Sequence, residues 1–159
     1  MLLSELSSLY AKGVSGKALA SLLKKNNVRR AAISGLTQSS IALHFARQQN
    51  NILFIMRDAD EAGYLYQDLE NMHDDNVIFF PSSYKRAVKF GQRDASSSIL
   101  RTEVLTRLTE EAKAPLKIIT YPAALSELVI SQQDLDSRHI TLRKGQEIPP
   151  TDLRSNCSS

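Results

Sequence analysis

Apolar positions along the 159-residue chain change their period several times, and each change marks a new element. In "GVSGKALASLLKK", Leu19, Leu22 and Leu23 recur at helical spacing and predict a helix with Ser15 as its cap. "AAIS" is a short apolar run and predicts a strand. In "SSIALHFA", Ile41, Ala42 and Phe45 then share one helical face. "NILFIM" is apolar without alternation, the pattern of a parallel strand covered on both faces. "DADEAGYLYQDLENMH" opens with Asp58 and Glu61 at capping-box spacing and continues as the stripe Ala62, Leu65, Tyr66, Leu69 and Met72. "NVIFFP" predicts another buried strand, ended by Pro81. Beyond the basic segment "SSYKRAVKFGQRDASSS", Leu100, Val104 and Leu108 predict a helix and "LKIIT" a strand. Pro122 then opens a helix through Leu125 and Leu128.

Strands joined by helix-length connections call for an α/β fold, a parallel sheet with helices on both faces. The pattern shifts near the end. "RHITLRKG" alternates Ile140 and Leu142 with polar neighbours, as a half-exposed strand does. In "IPPTDLRSNCSS", Pro149, Pro150 and Asp152 look like the opening of another helix. The expected organisation is one domain over residues 1–137 and the truncated start of a second over 138–159, with a flexible tail as the alternative.

Composition narrows the class. Hydrophobic residues at 42% and charged residues at 23% are usual for a globular chain and argue against disorder. Twenty Lys and Arg against seventeen Asp and Glu make the chain mildly basic, which permits an acidic partner without requiring one. The one cysteine, Cys157, rules out an internal disulfide, and His44, His73 and His139 are too scattered to suggest a metal cluster. A reducing compartment is expected. "MLLSELSSLY" lacks a basic leader and carries Glu5 where a secretory signal would be apolar, and "ILFIM" is too short to cross a bilayer. The expected location is the cytoplasm, with no membrane partner.

The stretch "ISGLTQSSIALHFA" has the layout of a phosphate-binding loop, G-x-x-x-x-G-K-[ST]. In that motif the second glycine lets backbone N–H groups wrap phosphates, the lysine neutralises them and the hydroxyl holds magnesium. Aligned on Gly35, these positions are Ser40, Ile41 and Ala42. The cation and the metal ligand are both missing, so a strand-to-helix turn is expected in place of a productive ATP site. "GVSGKALAS" offers Gly16 and Lys17, but no strand precedes them, and Lys17 reads as a solvated first-turn residue. Asp58, Asp60 and Glu61 resemble a magnesium-positioning strand end, yet acids in a first helical turn are explained by capping and the helix dipole. Lys85, Arg86, Lys89 and Arg93, interleaved with Tyr84 and Phe90, are the candidate nucleic-acid contacts, with a solvated loop as the alternative. Ser39 and Ser40 lie near His44, but no acid is placed to orient that histidine, so a nucleophilic triad is not supported.

These pieces, taken in order, resemble a known family. "SGLTQSS", "ILFIMRDADEAGYLYQDLE", "FFPSSYKRAVKFGQRDASSSILRTEVLTRL" and "LRKGQEI" resemble the N-terminal part of the bacterial transcription-repair coupling factors (Mfd), itself similar to the start of the excision-repair helicase UvrB. The similarity runs from about Arg30 to Ile148, and Lys144 to Gln146 is among its most telling pieces. It implies a three-layer RecA-like fold of the P-loop NTPase kind, with its nucleotide loop degenerate over Gly35, Ser40, Ile41 and Ala42. It also implies an intact protein that is an ATP-dependent DNA translocase, releasing RNA polymerase stalled at lesions and recruiting excision repair through UvrA. ATP and magnesium would act in a motor downstream. For the present stretch the resemblance implies no catalytic residue, cofactor or metal, and contacts with other domains of the same protein. The family's UvrA-contacting surface belongs to the small domain after this one, so no UvrA-contact residue is assigned. UvrB grips DNA with a tyrosine-rich hairpin, whereas the segment after Pro81 here has only Tyr84. A residual nucleotide-binding domain and a sequence-independent nucleic-acid-binding module are the alternative functions.

Overall fold

The computed structural model describes residues 3–25, 27, 30–36, 39–72, 76–84, 95–109 and 114–138. In chain order the elements are α1 (Leu3–Lys12), α2 (Val14–Leu23), α3 (Ser39–Phe45), β1 (Ile52–Ile55), α4 (Ala59–Asn71), β2 (Val77–Phe79), α5 (Ala95–Thr109), β3 (Lys117–Thr120), α6 (Pro122–Leu125) and α7 (Gln132–Arg138). The chain is mixed α/β. Its strands form a three-stranded parallel sheet in the order β1-β3-β2. Residues up to Glu127 make one compact unit and those from Leu128 onward another. In the second unit, α7 starts at a Ser131 cap whose Oγ accepts from the Asp134 N–H at 3.2 Å.

Side chains alternate along a strand, so the parallel register sorts them into two faces. Leu53 aligns with Ile118 and Ile78; Phe54 aligns with Ile119 and Phe79. The Phe54 face is covered by α3 and α4. Phe45 meets Phe54 edge-on with ring centroids 5.3 Å apart, and Tyr66 lies 5.7 Å from Phe79. Ala62, Leu65 and Leu69 of the expected stripe are buried there against Ile119. Each large aliphatic side chain so enclosed contributes about 1.5–3 kcal/mol relative to exposure. Lys117 is buried on this face as well, its Nζ donating to the Ala46 carbonyl at 3.0 Å and satisfying an acceptor that α3 leaves open at its end.

The Leu53 face is covered over β2 by α5, which lays Arg101 across the ring of Phe80. Over β1 it is open. Leu53 and Ile55 are 52% and 56% exposed, where "NILFIM" predicted a strand covered on both sides. The physical reason is position: β1 is an edge strand separated from β2 by β3, and α5 packs chiefly on β2, leaving a hollow between its Arg107 and Leu108 and Leu53 of β1.

Several sequence expectations differ in detail. "AAIS" forms no strand, and Ala31 to Ser34 are exposed, because four residues without a neighbouring ladder leave their backbone groups better served by water. The cap of α2 is Gly13, with no side-chain hydrogen bond, in place of Ser15. Gly16 sits where α1 turns into α2; a Cβ there would fall 2.2 Å from the Tyr10 carbonyl oxygen, so only glycine fits. The stripe of α5 that enters the core is Arg101 and Val104, with Leu100 and Leu108 exposed. The helix at Pro122 ends at Leu125 and never reaches Leu128. The expected strand around Ile140 and Leu142 lies outside the described residues.

Candidate functional site

Gly35 holds the one left-handed glycine conformation among the described residues, φ +83°, with open space around its missing side chain. A left-handed glycine lets the chain bend there. The side chains that follow are not those of a phosphate loop. Ala42 is completely buried, and Ile41 packs against the same apolar cluster. The positions that would carry lysine and magnesium-binding hydroxyl thus supply hydrocarbon to the core of α3. Ser40 is half-buried and accepts, through its carbonyl, from His44 Nδ1 at 2.8 Å.

His44 is accounted for by packing. It is buried, stands edge-on to Tyr10 with ring centroids 5.1 Å apart, and turns one nitrogen to its own helix. This contact joins α1 to α3, and Arg47 Nε adds a 3.2 Å hydrogen bond to Ser7 Oγ.

The acids at the end of β1 form a cap. Asp58 Oδ1 accepts from the N–H groups of Asp60 and Glu61 at 3.1 and 2.9 Å, and Glu61 returns to the Arg57 N–H at 3.3 Å. Hydrogen bonds from Glu61's backbone and from Arg57 hold the Asp58 carboxyl below the ordinary aspartate range. Its oxygens are engaged by the helix end and Arg57, as the capping expectation has it. The candidate contacts Lys85, Arg86, Lys89 and Arg93 lie outside the described residues. No group of three or more His, Cys, Asp or Glu able to hold a metal occurs among the described residues. Nor is any helix among them long and apolar enough to cross a membrane.

The most organised polar cluster is one that the apolar pattern concealed. It sits beyond the C-terminal ends of β2 and β3, the edge at which open α/β sheets present ligands. Glu127 accepts from the N–H of Ser83 at 2.9 Å, from Ser83 Oγ at 2.6 Å and from the hydroxyl of Ser82. Arg101 Nη1 approaches Glu127 Oε2 at 3.6 Å and donates to the carbonyls of Pro81 at 2.8 Å and Ala124 at 3.0 Å. The Ser82 N–H donates to the Tyr121 hydroxyl at 2.8 Å. Arg101 is buried with its guanidinium carbon 4.2 Å from the centre of the Phe80 ring, and its Nη2 has no hydrogen-bond partner among the described residues.

Burial pushes the Glu127 carboxyl up. The hydrogen bonds from Ser82 and Ser83 and the Arg101 charge outweigh that, and the net direction is down. A carboxylate held this way stays ionised and is saturated with donors, so it is a poor general base. What the cluster does is mechanical: it ties the turn after β2 to the turn after β3. It also borders the end of α6, where Arg101 donates to the Ala124 carbonyl and Glu127 faces Ser82 and Ser83. Nothing local in the sequence signalled it: Arg101 stands three residues before Val104, but a charge at that spacing reads as a solvated side chain. No protein-family model, curated protein or solved structure matches the chain.

Proposed function

We propose that this chain is a non-catalytic scaffold domain of the transcription-repair coupling type, a RecA-like module whose nucleotide chemistry has been replaced by packing. The observation that carries this reading is the burial of Ala42 and the packing of Ile41 behind the Gly35 turn. A motor needs a cation on the transferring phosphate and a hydroxyl on its magnesium. Side chains committed to a hydrophobic core supply neither.

The three-layer architecture is supported by the sheet order. The β1-to-β2 and β2-to-β3 crossovers run in opposite directions across the sheet, so right-handed connections place α4 and α5 on opposite faces. The contacts of Tyr66 with Phe79 and of Arg101 with Phe80 fit that placement. In the intact protein the domain supports its neighbours, while ATP and magnesium work in a downstream motor that moves on DNA, releases stalled RNA polymerase and recruits UvrA. The family assignment rests on the order of sequence pieces from "SGLTQSS" to "LRKGQEI".

The reading frame beyond Ser159 tests it. A small β-rich domain followed by a complete helicase motor is expected. A stop codon directly after Ser159 in the natural gene would overturn the assignment.

A further inference from the structure

Charge is distributed unevenly along this chain. Residues 1–30 hold six of its twenty Lys and Arg (Lys12, Lys17, Lys24, Lys25, Arg29, Arg30) and one of its seventeen Asp and Glu, Glu5. That is +5 on the first 30 residues and −2 on the remainder. The weakly basic total conceals a basic stretch of 30 residues followed by a faintly acidic remainder.

The structure turns this bias into a surface. Helix α2 buries Gly16 and Leu19, which orients Lys17, Ala18 and Ser21 outward, with Lys24 and Lys25 following at its end. Lys17, Ser21 and Lys24 stand at i, i+4 and i+7, a single helical stripe spanning about 10 Å. Lys12, at the end of α1, and Arg30 are exposed as well. None of these five cations makes an ion pair among the described residues, whereas Arg57, Arg101 and Arg107 each do.

We propose that the α1–α2 hairpin is a sequence-independent binding surface for the phosphate backbone of duplex DNA. This goes beyond the scaffold function, which asks nothing of the hairpin but packing. Two features favour a nucleic-acid backbone over an anionic bilayer. Between the lysines the stripe carries only Ala18 and Ser21, small side chains that let phosphates approach, one of them a hydroxyl donor. An interfacial membrane helix would instead present several large apolar residues opposite its cations, whereas α2 buries Leu19, half-buries Leu22 and Leu23 and leaves Val14 as its one exposed large apolar side chain. Contacts to phosphate alone give affinity without base readout.

The test is binding of the 159-residue chain to a fluorescently labelled duplex of mixed sequence, by anisotropy across a salt series. With four or five phosphates neutralised, log K is expected to fall against log salt with a slope of about −4. Unrelated duplex sequences are expected to bind equally. The variant K17E/K24E/K25E is expected to lose at least tenfold in affinity at low salt and to flatten the slope by about 3. All three side chains are exposed, and an unchanged melting temperature verifies that the variant is folded. No duplex binding at low salt would overturn the proposal. So would binding that survives K17E/K24E/K25E and is lost on charge reversal of Lys85, Arg86, Lys89 and Arg93. Binding to phosphatidylserine vesicles without binding to duplex would overturn it too.

Discussion

Glu127→Gln keeps the shape of the side chain and removes the charge that the turns after β2 and β3 share. In the native chain two carboxylate oxygens serve the Ser82 hydroxyl, the Ser83 hydroxyl and the Ser83 N–H, beside Arg101 at 3.6 Å. The amide offers one acceptor oxygen and turns an NH₂ toward groups that are themselves donors. Hydrogen bonds to a charged group are worth about 1.5–3 kcal/mol net. Leaving one partner of a buried ion pair uncompensated costs about 3–5 kcal/mol. Arg101 keeps its two carbonyl partners, so the lower end applies, and the expected loss is about 3 kcal/mol. With a urea slope of about 1.5 kcal/mol/M, the unfolding midpoint falls by about 2 M.

The pH dependence follows from the direction of the Glu127 shift. Its carboxyl lies below the ordinary 4.5 in the folded state, so the unfolded chain takes up the proton first. The stabilisation is complete above that ordinary value and disappears as pH falls through the lower, folded one. The gap between wild type and E127Q is therefore widest near neutrality and closes in acid. A gap below about 0.5 kcal/mol at pH 7, or one that persists unchanged in acid, would refute the clamp.

Adjacent residues of β1 should respond very differently to truncation. Phe54→Ala is expected to cost about 3 kcal/mol in urea unfolding and Leu53→Ala less than about 1, because only the Phe54 face is covered; equal costs would show both faces enclosed. Gly16→Ala drives a Cβ into the Tyr10 carbonyl and the Ala11 backbone and should cost about 1–3 kcal/mol, with loss of helical circular dichroism as its readout. At Gly35 the same substitution meets open space but a left-handed backbone, and about 1–2 kcal/mol is expected from the same unfolding measurement. Asp58→Ala should lower the melting temperature and Asp58→Asn should retain most of it, since asparagine still caps the Asp60 and Glu61 N–H groups.

What the sequence disclosed, and what it concealed, divides along physical lines. The α4 stripe was legible because Ala62, Leu65 and Leu69 repeat at the helical period and Asp58 marks the start, both local properties. The parallel sheet followed from the helix-length connections between the apolar runs of β1, β2 and β3. Partners remote in sequence were not legible. Arg101 and Glu127 bond to residues 20 to 45 positions away, and no local period announces that a charge will be buried. Edge status was hidden for the same reason: "NILFIM" states what β1 would bury, and only the sheet order shows that β1 lies at an edge, with β3 between it and β2. At the loop, Ile41 and Ala42 share one apolar helical face in the sequence and pack into the core in the structure, while the absence of a strand at "AAIS" is a matter of pairing.

Thermal unfolding of the chain with and without millimolar Mg·ATP probes the nucleotide loop most directly. No change in melting temperature is expected, because Ile41 and Ala42 face the core behind Gly35. A competent site at a hundredfold excess over its Kd would add about 2.7 kcal/mol, a rise of about 5–10 °C in a domain of this size. A saturable, magnesium-dependent rise of that order would contradict the scaffold function.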